Sequence, residues 1–330
     1  MSKITNFLVR LVACFTLISV IAWAPPVFAQ GTPGQISLVV PYAAGGPSDS
    51  AARMLRPVFE RVLGKTTIVE NVPGAGGSLG AAKVLRATDG SQILIATPNE
   101  VILAPIGLAA VKYKADAFRL VGTVGELPYA LIARSDFPAA SVDEFIAYSK
   151  ANPKKPLAYG SMGQGSLNHL ATEALRAETG VSLIHIPYKG GAPLLQDVLG
   201  GQIDFALTPL AGNVQSLIET GKVKFYGVTS SQRSARLKDW PTVNESKHLK
   251  DFVYSIWFGP AVSKETPEAT VQRIQAALVE ALRQPEVRHG LAELGFMGPV
   301  VTTTGEANKL YSAEQRKFRD IAGALKLQPQ

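Results

Sequence analysis

One architectural phrase occurs twice in this chain. The first copy runs Ser37-Leu38-Val39-Val40-Pro41-Tyr42-Ala43-Ala44-Gly45-Gly46-Pro47-Ser48-Asp49 into Ser50-Ala51-Ala52-Arg53-Met54-Leu55. The second runs Leu157-Ala158-Tyr159-Gly160-Ser161-Met162-Gly163-Gln164-Gly165-Ser166 into Leu167-Asn168-His169-Leu170-Ala171. Each is an apolar strand, a Gly-rich turn bearing hydroxyls, then an amphipathic helix. A helix start leaves its first N–H groups unpaired and carries about half a positive charge. Glycine lets an anion approach that backbone closely. Two such ends, about 120 residues apart, suit a carboxylate-bearing ligand gripped from two sides.

The 330 residues suffice for two domains with proper cores. With 46% hydrophobic and 18% charged residues the composition is that of a folded chain. Residues 1–29 read as a secretory signal: Lys3 and Arg10, an apolar run from Leu11 to Trp23, and Val27-Phe28-Ala29 as the cleavage site. Cleavage there starts the mature chain at Gln30 and places it in the periplasm. Cys14, the single cysteine, leaves with the leader, so the mature chain has no disulfide or thiolate ligand. The formal charge of +7 loses two with Lys3 and Arg10. No basic run interleaved with aromatics is present, so nucleic acid is not an expected partner. The four histidines lack metal-ligand spacing; neither a metal nor a cofactor is expected.

Strand and helix signals alternate, which predicts an α/β fold with parallel sheets. Strands are expected near 36–40, 66–69, 93–96, 130–134, 157–159, 183–186, 203–207, 224–229 and 254–261. Helices are expected over 50–63, kinked at Pro57, and over 79–86, 141–150, 167–178, 193–199, from Thr266 through Leu282, and 305–325. In open α/β sheets, ligands sit beyond the carboxyl ends of strands. Tyr42 to Ser48, Thr97 to Asn99, Ser161 to Ser166, and Thr208-Pro209 all follow strands directly. From these turns Tyr42, Ala43, Ala44, Ser48, Thr97, Asn99, Ser161, Gly165, Ser166 and Thr208 are candidate ligand-binding residues, with His169 and Phe205 beside them. Asp49 is expected to serve the loop, through N–H bonds or through Arg53 four residues on. Trp257 is a further candidate to shape the pocket.

Gly76-Gly77-Ser78-Leu79-Gly80 matches the Gly-x-Ser-x-Gly elbow of α/β hydrolases. That elbow needs its serine on a turn straight after a strand. Here Val72 to Gly77 intervenes, so a secreted hydrolase using Ser78 is the alternative rather than the main reading, and no catalytic residues are expected.

Taken in order, several short motifs resemble the Bug-type (TctC-like) solute-binding receptors of tripartite tricarboxylate transporters. They are Pro41-Tyr42, Gly45-Gly46 and Ser48-Asp49 with Ala52-Arg53; Val69-Glu70-Asn71 with Pro73-Gly74-Ala75-Gly76-Gly77; Gly160 to Ser166 with His169-Leu170; His185-Ile186-Pro187-Tyr188-Lys189-Gly190; Gly200-Gly201-Gln202-Ile203-Asp204; and Arg233 with Trp240-Pro241-Thr242. The resemblance implies a two-lobed, type II periplasmic-binding-protein (Venus flytrap) fold, each lobe a mixed sheet flanked by helices. Residues 30–129 plus 250–330 would form lobe 1 and residues 130–249 lobe 2. It implies a monomer that closes over a small organic carboxylate held by the turns at Tyr42 to Ser48 and Ser161 to Ser166. It further implies delivery to membrane permease subunits, or a role as a carboxylate sensor. The chain departs from the family pattern at Pro47, where a glycine is common, at Ser48, at Pro57 and at Trp240.

Overall fold

The computed structural model describes residues 34–233, 239–297, 300 and 302–324. The expected leader and its cleavage site lie outside them, as does Leu325. The chain opens with β1 (Ile36–Val40), an apolar run buried along its whole length. Helix α1 (Pro47–Leu63) begins three residues before the expected start. Gly46 caps it and Pro47 takes the first turn, where a missing N–H costs nothing. The departure at Pro47 therefore serves the helix start. The helix continues past Pro57 and ends at Gly64, whose φ of 67° places it in the left-handed region. Ala51, Leu55, Val58 and Phe59 make its buried stripe.

The elements that follow are β2 (Thr67–Asn71), α2 (Ser78–Leu85), β3 (Gln92–Ala96), a π-helical turn (Asn99–Leu103), short α3 (Ala104–Gly107), β4 (Phe118–Leu120) and β5 (Gly125–Arg134). Then come α4 (Val142–Ala151), β6 (Leu157–Ser161), α5 (Leu167–Thr179), β7 (Leu183–Pro187), α6 (Gly191–Leu199), β8 (Phe205–Pro209), α7 (Gly212–Glu219) and β9 (Val223–Val228). The chain closes with β10 (Ser255–Ser263), α8 (Glu268–Arg283), α9 (Pro285–Glu293) and α10 (Thr304–Ala324). Sequence periodicity missed α3, β4, α7 and α9, all short. Ser141 caps α4 as expected, its hydroxyl accepting the Glu144 N–H at 3.2 Å.

The strands form one sheet in the order β2-β1-β3-β10-β5-β8-β6-β7, with β4 also on β10 and β9 also on β5. The outer pairs β1/β2, β1/β3, β6/β7 and β6/β8 are parallel, as strand–helix alternation predicts. The centre departs from that alternation and makes the sheet mixed, as the family resemblance implies. Strand β10 runs antiparallel to β3, β4 and β5, and β5 runs antiparallel to β8 and β9. Strands β4 and β5 follow one another along β10, Phe118 to Leu120 on Ser263 to Ala261 and Gly125 to Pro128 on Phe258 to Ser255.

Two strands are shared. Residues Ser255 to Phe258 of β10 pair with β5, and Gly259 to Ala261 pair with β3. In return, Gly125 to Pro128 of β5 pair with β10, and Tyr129 to Ala133 with β8. Helix α10 packs back on the first half: the Tyr311 hydroxyl donates to the Ala115 carbonyl at 2.7 Å, and its ring meets Trp257 edge-on. Trp240 packs on Phe225, ring centroids 4.8 Å apart. Among the described residues, no helix is long and apolar enough to cross a membrane.

Gly259 sits where β10 changes partner. A Cβ there would lie 2.0 Å from the Gly122 carbonyl oxygen, a backbone atom that cannot swing away. Gly259→Ala is therefore expected to destabilise the fold by at least about 1–3 kcal/mol, read as a lowered midpoint in urea. An unchanged midpoint would show that the two strands need not approach so closely.

Candidate functional site

The first turn is held by an internal clamp. Asp49, in the first turn of α1, accepts from the Gly45 N–H and from Arg53 Nε, both at 2.9 Å. The Asn71 side chain, at the end of β2, donates to Asp49 Oδ1 (3.0 Å) and to the Tyr42 carbonyl (3.1 Å). Burial works against the Asp49 charge. The Arg53, Gly45 and Asn71 bonds outweigh it and hold the carboxyl below its ordinary range. Asp49 thus shapes the loop, as its sequence context implies.

Behind the loop lies a carboxylate that sequence reasoning passed over. Glu100 is fully buried. Its Oε2 accepts from the Tyr42 hydroxyl at 2.8 Å and from Thr97 Oγ1 at 2.7 Å, and its Oε1 accepts the Thr97 N–H. The Tyr113 hydroxyl donates to the Glu100 carbonyl at 2.6 Å. Burial, opposed by the Thr97 and Tyr42 bonds, pushes the Glu100 carboxyl up to about 7. A single Glu at a helix start usually reads as a solvated first-turn acid. Its place, three residues past Thr97 at a strand end, was the available signal.

The second turn is also tied inward. Ser161 Oγ lies 2.6 Å from His185 Nε2. The His169 and His185 rings stack at 4.1 Å between centroids, and Tyr159 stacks on His185 at 4.9 Å. His169 Nδ1 accepts the Gly165 N–H at 3.0 Å, which fixes the loop to its own helix. The Ser166 hydroxyl lies 2.8 Å from Asn168 Oδ1 and 2.5 Å from the Gly163 carbonyl. Burial, aided by the Arg176 cation, lowers His169 to about 4. Burial and the His169 ring lower His185 to about 4, against the opposing Glu173 charge.

The two turns meet. Asn99 Oδ1 accepts the N–H of Leu167, the first residue of α5, at 2.9 Å. A Cβ on Gly107 would stand 3.2 Å from Gly165 Cα, so glycine on both sides permits the approach. Between them lies a small pocket of about 20 Å³. Tyr42, Gly76, Asn99, Ala104 and Leu108 line one side; Met162, Gln164, Gly165 and Ser166 line the other.

Of the twelve residues singled out from sequence, Tyr42, Asn99, Gly165 and Ser166 line this pocket. Thr97, Ser161 and His169 are buried just behind it, holding Glu100, His185 and Gly165. Ala43 and Ala44 are exposed on the loop, and Ser48 is buried in the first turn of α1. Phe205 belongs to the aromatic core, 4.9 Å from Phe145, and Thr208 is buried in β8 opposite Ala130. Trp257 is buried against Tyr311. Met162, Gln164, Gly76, Ala104 and Leu108 were not anticipated as lining; turn chemistry does not say which apolar neighbours fold over it.

Glycines of the hydrolase-like motif have packing roles. A Cβ on Gly77 would meet Glu100 Cβ at 3.0 Å, and one on Gly80 the Pro41 Cα at 3.0 Å. Ser78 is the buried first residue of α2. The serine that does contact a histidine is Ser161.

A family model described as the tripartite tricarboxylate transporter family receptor matches residues 51–327. The chain belongs to this family. Among solved structures it is similar to the periplasmic binding protein BugD, at 33% identity and TM-score 0.78, covering 90% of this chain and 99% of BugD. It is similar to MatC from Rhodopseudomonas palustris, solved with bound malate, at 29% identity and TM-score 0.78 over 87% and 98% of the two chains. It also matches an R. palustris protein solved with adipate, at 26% identity and TM-score 0.81 over 90% and 98%. The fold is the two-lobed α/β fold of periplasmic binding proteins, and the family is one of solute-binding receptors.

The histidine pair sets an acid limit on this receptor fold. A base whose folded pKa is depressed contributes stability above its unfolded pKa, here near 6.5, and loses it as pH falls toward 4. Unfolding free energy from urea titrations between pH 7 and pH 4 is expected to fall, on the order of 1–3 kcal/mol per ring. His185→Gln is expected to make that fall shallower. Equal slopes for the two proteins would remove His185 as a cause.

Proposed function

We propose that this chain is an exported receptor that captures a small organic acid in the pocket between the Tyr42 and Ser166 turns and hands it to the permease subunits of its transporter. The acid is a di- or tricarboxylate or an aromatic acid. The observation that carries this reading is the meeting of two Gly-rich, strand-to-helix turns around one pocket, with Asn99 on the first N–H of α5. The neighbours solved with malate and adipate support the ligand class.

The residues suit capture followed by release. Pocket walls carry amide, hydroxyl and main-chain groups, and no pocket-lining residue is charged. Hydrogen bonds from neutral donors to a carboxylate are individually weaker than an Arg clamp. In the motion we infer, residues 30–129 with 250–330 form one rigid lobe and residues 130–249 the other. The shared strands β5 and β10 are the connection that bends. A ligand touching both turns binds the closed form better and shifts the population toward it. The leader over residues 1–29 directs export, and the mature monomer works in the periplasm without chemical turnover.

The mature chain from Gln30 is expected to melt at a higher temperature with a matching acid, by mass action. A panel of mono-, di- and tricarboxylates and aromatic acids, including malate and adipate, makes the test. No shift with any of them would sink the receptor reading. Chromogenic ester turnover abolished by Ser78→Ala would favour a hydrolase instead. Closure has its own test. Gly107 does not need a positive φ, so Gly107→Val leaves the backbone unstrained but props the two turns apart. It is expected to weaken the identified acid about tenfold or more by calorimetry, with little change in urea midpoint. Unchanged affinity would show that the Gly107–Gly165 approach is not part of the bound state.

A further inference from the structure

We propose that Glu100 takes up a proton when the pocket captures an anion, and that this proton turns the Tyr42 hydroxyl into a donor facing the ligand. The inference rests on the carboxylate-receptor reading of the same pocket. It makes Glu100 a positioning residue, one that acts on the ligand through Tyr42.

The geometry is a short relay. Tyr42 and Asn99 line the pocket, and Glu100 is buried one layer behind them. The Tyr42 hydroxyl spends its hydrogen on Glu100 Oε2, at 2.8 Å. In that state its oxygen offers the pocket only lone pairs, which repel a carboxylate. Tyr42 Oη also lies 3.3 Å from Thr97 Oγ1, and beside it Asn99 Oδ1 holds the Leu167 N–H across the pocket.

Every hydrogen bond to the Glu100 carboxylate comes from an uncharged donor: Tyr42, the Thr97 hydroxyl and the Thr97 N–H. The titratable groups packed around it are phenols. Tyr42 comes from the loop after β1, Tyr113 from the loop before β4, and Tyr311 from α10. Asp116, acting on Tyr311, adds negative charge. From the side of α2, Glu100 meets the Gly77 backbone. A buried carboxylate served only by neutral dipoles is poorly compensated. Burial raises all three phenols, so none of them supplies the proton at neutral pH.

An anion arriving beside Tyr42 adds a like charge to this surrounding and favours the protonated acid further. The balance is simple. Glu100 carboxylate, one proton from the buffer's conjugate acid and the anionic ligand become Glu100 carboxylic acid, buffer base and bound anion; no ligand bond breaks. The acid hydrogen on Oε2 donates to Tyr42 Oη. The Tyr42 hydrogen is released from the carboxylate and turns to the ligand oxygen. Since Glu100 rests near neutrality before binding, with a carboxyl at about 7, the change falls within an accessible pH range.

The test is calorimetry at pH 8 in phosphate, HEPES and Tris, whose ionisation heats differ, with malate, adipate and the acid that raises the melting temperature most. Wild type is expected to take up most of one proton per ligand, with affinity falling up to about tenfold per pH unit between pH 7 and 9. Glu100→Gln is expected to bind with no linked proton and a flat pH profile. Binding by wild type without proton uptake, or equal uptake by both proteins, would overturn the inference and leave the receptor reading standing. Binding by none of the acids would overturn the receptor reading itself, and the coupling with it. If Glu100→Gln does not fold, infrared difference spectra of wild type with isotope-labelled glutamate decide the matter. Ligand at pH 8 should bring up a protonated glutamate carboxyl band, and its absence would refute the coupling.

Discussion

The first N–H groups of a helix need partners, and in α5 the Leu167 N–H finds one in the Asn99 side chain. That single bond joins segments 68 residues apart in sequence. It depends on the π-helical turn that presents Asn99. It also depends on the Gly107–Gly165 approach, since a Cβ on either glycine would reach the other's backbone. The pocket is the space left where these two contacts bring the turns together. An amide oxygen at a helix start is a neutral stand-in for the anion such a start favours.

The electrostatics around the pocket are arranged at one remove from it. Charged or titratable groups sit in the layer behind the lining: Glu100 behind Tyr42, the His169–His185 stack behind Gly165, and Asp49 behind the first loop. Burial moves Glu100 and the histidines in opposite directions along the pH scale, and both shifts favour the neutral form. Asp49 differs because it keeps a cation, Arg53, and two further hydrogen-bond donors, the Gly45 N–H and the Asn71 amide. The same loop system therefore carries one firmly ionised carboxylate that shapes the backbone and one near-neutral carboxyl that faces only dipoles.

Glycine in this chain does several separable jobs. Gly64 and Gly180 end helices in the left-handed region. Gly77 and Gly80 let α2 lie against Glu100 and Pro41, which is why a hydrolase-like spacing appears without an elbow. Gly259 lets β10 pass the Gly122 carbonyl as it changes partner. Motif matching alone does not separate these uses, because each is defined by what stands opposite.

Local sequence determined most elements, because periodicity, caps and turn residues act within a few positions: β1, the Ser141 cap, the Gly64 stop and the two Gly-rich turns were all legible. So was the Asp49–Arg53 pairing, whose partners are four residues apart. The antiparallel run of β5 and β10, the burial of Glu100, and the His169–His185 stack were decided only by tertiary structure. Each depends on residues distant in sequence meeting across a layer, and neither propensity nor spacing encodes which neighbour arrives. Phe205 and Thr208 illustrate the same limit: their place after or within a strand was readable, but the face they turn to the core was set by β5 and β6 packing beside them.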